Sequence, residues 1–300
     1  MKINSLIYIF KDKWYNLHVE GKGMKKIKNY FKDYINSIKR FGRDIKKYKN
    51  YILYATWAEL KTEVINSYLG WAWMVLEPLA FMLIYVFIAG VIFNSKVEYF
   101  PVFVFIGLSI WNFFNKNVVA AVKLVTTNRD TVTKVYLPKF VLLFVKMGVN
   151  LFKMMVSFIL VGIFMIIYKV PVTWNVLWFF PIIISVIILT FGVCTFMLHF
   201  GVFAEDLTNL TNIFLRMIFY MTGVFYDLAS KLEKHPAYRT LLLKCNPLAS
   251  FIHNMRQVLI YSSSPDYKWI GIWFLIGLFL SIAGVRKIYK YENTYVKVMR

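Results

Sequence analysis

Charge is in short supply in this sequence, and so are the residues of catalysis. Lys, Arg, Asp and Glu make up 17% of the 300 residues, against about 25% in a soluble globular domain. A chain this poor in charge and 59% hydrophobic cannot cover a water-facing surface, so lipid must solvate most of it. Histidine is rare: His18, His199, His235 and His253 are scattered without metal-ligand spacing, which excludes the usual zinc signatures. Cys194 lies in an apolar run and Cys245 in a polar one, and they make no disulfide framework. No G-x-x-x-x-G-K-[ST] occurs, so the chain brings no nucleotide-phosphate loop of its own. No cleaved leader is expected, because the apolar stretch Ser5 to Phe10 is short and no small-residue cleavage site follows it.

Aromatic residues fill 19% of the chain and the mean hydropathy is +0.56. Trp and Tyr favour the bilayer interface, where the ring is apolar and the polar tip stays wet. The formal charge of +21 follows from the same setting, since basic residues gather in cytoplasmic segments of membrane proteins. No basic face is attached to a soluble domain, so nucleic acid is not an expected partner. Residues 1–49 hold 14 Lys or Arg against 4 Asp or Glu. Within them Ile27, Tyr30, Phe31, Tyr34, Ile35, Ile38, Phe41, Ile45 and Tyr48 recur at three- and four-residue steps, the stripe of an amphipathic helix. Such a helix is too charged to span. Residues 1–66 are expected to form a basic amino-terminal region in the headgroup layer, or packed on a partner.

Six apolar spans follow, near 71–93, 101–122, 140–168, 177–198, 207–226 and 268–285. The expected fold class is an all-α polytopic membrane protein, with interfacial amino-terminal helices ahead of a transmembrane domain over 67–300. Loop charge orients it. The stretch from Lys116 to Lys139 carries five basic residues and one acid, and the tail from Arg286 the same, whereas 94–100 and 169–176 carry one lysine each. Both termini are therefore expected in the cytoplasm, with the two cysteines at opposite faces. Glu205 and Asp206 go against that charge pattern and read as a cap at the positive end of a helix dipole. Segment 227–267 is external and not uniformly polar. There Asn246-Pro247 makes an N-cap and first turn, and Leu248, Phe251, Ile252, Met255, Val258 and Leu259 follow at helical spacing, a re-entrant amphipathic helix.

The stretch SYLGWAWMVLEPLAFMLIYVFIAGVIF (67–93), with its Leu-Gly-x-x-Trp turn and Pro78-led span, resembles the first span of ABC-2 family permeases that export bacterial surface polymers. FIGLSIWNFF (105–114), TKVYLPKFVL (133–142), FAEDLTNLTNIFLRMIFY (203–220) and NPLASFIHNMRQVLIY (246–261) continue the likeness in family order, over roughly residues 50–295. It is nearest to the permeases for wall teichoic acid, O-antigen and capsule. The resemblance implies an ABC-2, type V exporter-like permease fold in the bacterial cytoplasmic (inner) membrane. It implies a homodimer, two copies of a separate ATPase subunit holding ATP and Mg, and a lipid-linked glycopolymer as cargo. This chain would then carry no catalytic residue, metal or cofactor. A coupling helix within 123–136 would meet the ATPase through Asn128, Arg129, Asp130 and Thr131, with Asn128 or Asp130 capping it. Two departures stand out: Glu205-Asp206 where the family commonly has Arg-Asp, and Thr222-Gly223 where it has Ser-Pro. Two other readings are a smaller-cargo pump for drugs or lipids and a polyprenyl-phosphate enzyme, for which only Glu205-Asp206 approaches a metal pair.

Within that frame Gly70 lets the chain turn from an in-plane helix into the membrane. Trp71 and Trp73 anchor the elbow at the headgroups, and Pro78 frees a backbone carbonyl in the first turns of the span. Lys139, Lys146 and Lys153 repeat at seven-residue spacing on one helix face. Lys139 snorkels to the cytoplasmic interface; Lys146 and Lys153 either do the same or line a path for phosphate-bearing cargo. Glu77 lies at a depth similar to Lys146, its expected ion-pair partner, with Arg216 as the competitor. Trp111, Phe113, Phe114, Phe219, Tyr220, Phe225 and Tyr226 are either core or a sugar-stacking passage.

Overall fold

The computed structural model describes the backbone of residues 22–65, 68–92, 97–204 and 206–298, and from residue 36 onward their side chains except at 89, 91, 92, 296 and 298. The stripe side chains from Ile27 to Ile35, and Glu205 of the proposed cap, lie outside the described residues. Every described element is helical. Helix α1 spans Lys22–Ile65. A 3₁₀ turn, Gly70–Ala72, leads into α2 (Trp73–Val86), which carries on as a π-helical stretch, Phe87–Ile92. Then come α3 (Phe100–Thr127), α4 (Arg129–Lys134), α5 (Lys139–Ile167), a 3₁₀ turn at Trp174–Trp178, and α6 (Phe179–Gly201). The chain ends with α7 (Leu207–Met221), α8 (Leu228–Lys231), α9 (Pro236–Cys245), α10 (Pro247–Leu259) and α11 (Tyr267–Val298). Two compact units result, residues 1–47 and 48–300. In the first, Arg40 and Asp44 pair one turn apart at 3.7 Å.

Within the second unit α3 is the hub, packing against α2, α5, α6, α7 and α10. Its apolar stretch is 78% buried, while those of α5, α6 and α11 reach only 28–44%. A run such as Val102, Phe103, Val104, Phe105 and Ile106 is apolar on every face, which suits a helix surrounded by others. Helices α6 and α11 pair closely, and Ser281 Oγ donates to the Ile188 carbonyl at 3.1 Å.

Four described segments are long and apolar enough to cross a membrane alone, 100–127, 139–167, 174–201 and 267–295, with a fifth if α1 and α2 are counted as one bent span. The first expected span is α2 with its π-helical continuation. The fifth, α7, stops at Met221 after 15 residues, about 22 Å at 1.5 Å per residue against a hydrocarbon core of about 30 Å. The chain turns at 222–226 instead of continuing to 226. Helix α11 runs well beyond 285.

The bundle has two distinct ends. At one, α10 packs on α3, α6 and α11, and just beyond it Asn175 Nδ2 donates to the Ser262 carbonyl and Ser262 Oγ to the Pro171 carbonyl, both at 2.8 Å. At the other, the Tyr136 hydroxyl donates to Glu292 at 3.2 Å, and buried His199 Nδ1 meets the Tyr295 hydroxyl at 2.7 Å.

The expected cap at Asn246 forms, its Oδ1 accepting from the amides of Leu248 (3.1 Å) and Ala249 (3.3 Å). Those at Asn128 and Asp206 do not. Asn128 Nδ2 donates back to the Leu124 carbonyl at 2.8 Å and so closes α3. Asp206, at φ −70° and ψ −11°, already has helical backbone, not the extended conformation from which a cap side chain reaches the following amides.

Candidate functional site

The elbow is built on glycine. Gly70 has φ +49°, a region that disfavours any residue with a Cβ by about 1–2 kcal/mol. No atom lies within 4 Å of where that Cβ would sit, so the requirement is conformational. Trp71 stacks on Trp57 of α1 at 5.6 Å and meets Phe152 of α5 edge-on at 6.3 Å. Leu60, Met74 and Val149 close a small buried cluster beneath it. Trp71 and Trp73 keep 42% and 51% of their surface exposed, as interfacial anchors do. Pro78 sits inside α2 without ending it.

The lysines of α5 hold α1. Lys146 pairs with Glu59 and Lys153 with Glu63, and Thr56 Oγ1 reaches the Val145 carbonyl at 3.5 Å. The expected pairing of Glu77 with Lys146 is therefore corrected: Glu77 pairs with Lys116 of α3 at 2.9 Å. Helix α3 continues to Thr127, so Lys116 is a helix residue beside α2 and not the start of a loop. Arg216 does not pair with Glu77 either. It is exposed, with no ion pair among the described residues.

A polar recess of about 100 Å³ lies between α1, α2, α3 and α5. Glu63, Glu77, Lys116 and Lys153 face it with Asn112 and Asn150, and Gly70, Trp73 and Pro78 close one side. Its charges balance two against two. Asn150 Nδ2 donates to Asn117 Oδ1 at 2.9 Å, and Asn117 to the Phe113 carbonyl at 2.7 Å, which fixes the α3 wall.

Aromatic side chains gather nearer the α10 end. Tyr85 of α2 stacks on Phe225 (5.6 Å, 7° between planes), Trp111 of α3 meets Phe219 at 5.1 Å, and Tyr220 meets Phe219 at 5.6 Å. Phe114 touches Trp111, and the Tyr226 hydroxyl donates to the Tyr220 carbonyl. Phe113 is separate and lines the polar recess. Helix α7 buries only Thr208, Thr211 and Leu215. Asn209, Asn212, Arg216 and Tyr220 follow at steps of three and four, one polar stripe along a helix whose other exposed side chains include Ile213, Phe214 and Met217.

One buried arginine ties the outer segment down. Arg256 of α10 donates to the carbonyls of Phe103 (3.1 Å), Gly223 (2.9 Å) and Val224 (2.6 Å), with its guanidinium 3.3 Å from the Phe103 ring centre. Burial pushes its pKa down to about 9, so it stays charged at neutral pH. Gly223 has φ +68°, and Thr222 Oγ1 donates to the Ile218 carbonyl at 2.6 Å. Glycine thus supplies the turn that follows α7. At the far end, α4 inserts Val132 into the molecule and leaves Arg129, Asp130 and Thr131 in the open.

Glu59, Glu63, Lys116, Asn209, Asn212 and Arg256 were not singled out in the sequence. The acids of α1 and the asparagines of α7 carried a signal, helical spacing of polar residues in amphipathic segments. Arg256 carried none, because only packing reveals three carbonyls converging on it.

Residues 51–260 match the family described as ABC-2 type transporter. The chain is 27% identical over 227 residues to the O-antigen export system permease protein RfbA of Myxococcus xanthus, covering 76% of this chain and 86% of that protein. Two proteins of the same description from Klebsiella pneumoniae are 25% and 24% identical over 242 residues, 80% of this chain and 92% of theirs.

Proposed function

The chain belongs to the ABC-2 type transporter family and is a multi-pass membrane transport protein, and from that premise we propose that it is the permease subunit exporting a lipid-linked cell-surface glycopolymer. The cargo class rests on the O-antigen export permeases that align over most of the chain. In this reading two copies form the pathway, two separate ATPase subunits bind ATP and Mg, and both termini face the cytoplasm of a bacterial inner membrane.

The polar stripe of α7 carries the pathway assignment. An arginine facing lipid tails at mid-bilayer is disfavoured by about 2.5–3.5 kcal/mol, and Arg216 is exposed beside Asn209 and Asn212. A face of that kind fits water or a second copy. Tyr220 in the stripe and half-buried Phe219 beside it offer rings on which sugars stack, with buried Trp111 packed behind Phe219, while Glu77 and Lys153 face the charged recess near the elbow. Lys146, engaged by Glu59, holds α1 against α5. The exposed face of α4, with Asn128 behind it, is the candidate contact with the ATPase. Work there reaches the pathway through α3, which α4 follows directly.

The test is genetic and biochemical. In a strain lacking this gene, the wild-type chain with its ATPase should restore surface glycan, read by immunoblot. Arg129→Ala with Asp130→Ala should accumulate in the membrane yet lose export and stimulated ATP hydrolysis. Full export by that double variant would remove α4 as the coupling helix.

A further inference from the structure

A second recess, of about 260 Å³, opens at the α10 end between α9, α10 and the start of α11. None of the roles above uses it. Its frame is rigid. Buried Asn254 donates to the Ser250 carbonyl at 2.8 Å, and its Oδ1 accepts from the Asp266 amide at 2.6 Å. Trp273 Nε1 donates to the Lys244 carbonyl at 3.1 Å, which ties α9 to α11. The Asp266 carboxylate accepts from the Trp269 amide at 3.4 Å.

The groups left over are those a ligand would meet. Among the described residues, neither the His253 imidazole nor the Gln257 amide has a hydrogen-bond partner. The Lys244 ammonium lies 5.7 Å from the centre of the Trp269 ring. Burial lowers the pKa of His253, against the opposing pull of Asp227 and Asp266, so the ring is neutral at pH 7. Lys244 and Asp266 then cancel. The recess offers an aromatic side chain and a mixed set of donors and acceptors, with no excess charge. A free phosphate would call for surplus cations, and a lipid chain for an apolar lining. A polyhydroxylated ring matches what is present, its C–H face on the indole and its hydroxyls on Asp266, Gln257 and His253.

We propose that this recess is a glycan subsite that holds one pyranose unit of the exported polymer at the α10 end of the permease. The proposal rests on the export reading given above, and extends it to a place where cargo is met outside the pathway.

Saturation-transfer NMR on the full-length chain in detergent micelles tests it. The probes are N-acetylglucosamine, galactose, mannose and rhamnose, with myo-inositol and methyl phosphate as controls. At least one sugar should receive saturation, and Gln257→Ala and Asp266→Asn should each weaken its binding about fivefold, the effect of one hydrogen bond. Trp269→Phe keeps a ring and should weaken it less than Trp269→Ala. Thermal unfolding of each variant separates lost binding from lost fold. Silence from all four sugars, equal binding by Gln257→Ala and Asp266→Asn, or an equal response to methyl phosphate would each overturn the subsite. The complementation assay checks the export reading separately. If the wild-type chain restores no surface glycan while sugar still binds, the recess is a sugar site, and its assignment to exported cargo falls.

Discussion

At the scale of single residues, Glu77, Lys116, Lys146 and Lys153 each find an opposite charge nearby. Glu77 and Lys116 expose 47% and 39% of their side chains, so their pair is expected to contribute about 0.2–1 kcal/mol if water reaches it. A double-mutant cycle in thermal unfolding checks this: Glu77→Gln and Lys116→Met should be non-additive, whereas Glu77→Gln and Lys146→Met should add. Additivity in the first cycle would break the assignment. Arg256 is a different case, fully enclosed with three carbonyl partners. Arg256→Met should destabilise the protein by at least ~3 kcal/mol, because each orphaned buried carbonyl carries a penalty of its own. Limited proteolysis should show 222–266 opening first; unchanged protection there would show that the clamp is dispensable.

At the scale of elements, the elbow between α1 and α2 depends on one backbone angle. Gly70→Ala should lower stability by ~1–2 kcal/mol through φ alone, and Gly70→Val by more, since a β-branched side chain narrows the backbone further. Folded protein recovered from membranes and its unfolding temperature measure both. Equal stability of all three would mean that the turn tolerates a Cβ. The elbow is also held from the side, by Trp57 on Trp71 and by Glu59 and Glu63 on the lysines of α5. Lys146→Met with Lys153→Met should therefore release the carboxyl-terminal part of α1. Faster hydrogen exchange over residues 56–64 would report that release, and unaltered exchange there would argue that apolar packing alone holds it.

For the whole molecule, the proposed function has a second copy covering the exposed side of α7. A single cysteine replacing Phe214, in a chain with Cys194 and Cys245 changed to serine, should cross-link to its counterpart in native membranes. A cysteine replacing Ile184, on the exposed side of α6, should not. Cross-linking at both sites or at neither would refute a specific dimer through α7. Purified alone, the chain should hydrolyse no ATP, and activity should appear only with the partner ATPase.

Much of this architecture follows from composition and periodicity. The scarcity of charge made it a membrane protein, apolar run lengths located the helices, and glycine with two tryptophans marked the elbow. These are local properties, each decided by neighbours in sequence. Asn246-Pro247 started α10 for the same reason, since a cap needs only the next three residues. What involved two distant segments was not legible. Seven-residue spacing aligned Lys146 and Lys153, yet Glu59 and Glu63 became their partners because α1 folds back on α5. The depth of Glu77 suggested Lys146, but α2 lies against α3 and the nearest cation is Lys116. Asn128 had the chemistry of an N-cap, and the turn leaving α3 aimed it backwards. Arg256 carried no signal in its neighbours, and only tertiary packing brought three carbonyls from two other segments onto it. Sequence periodicity sets which face a residue occupies; only the packed structure sets what stands opposite.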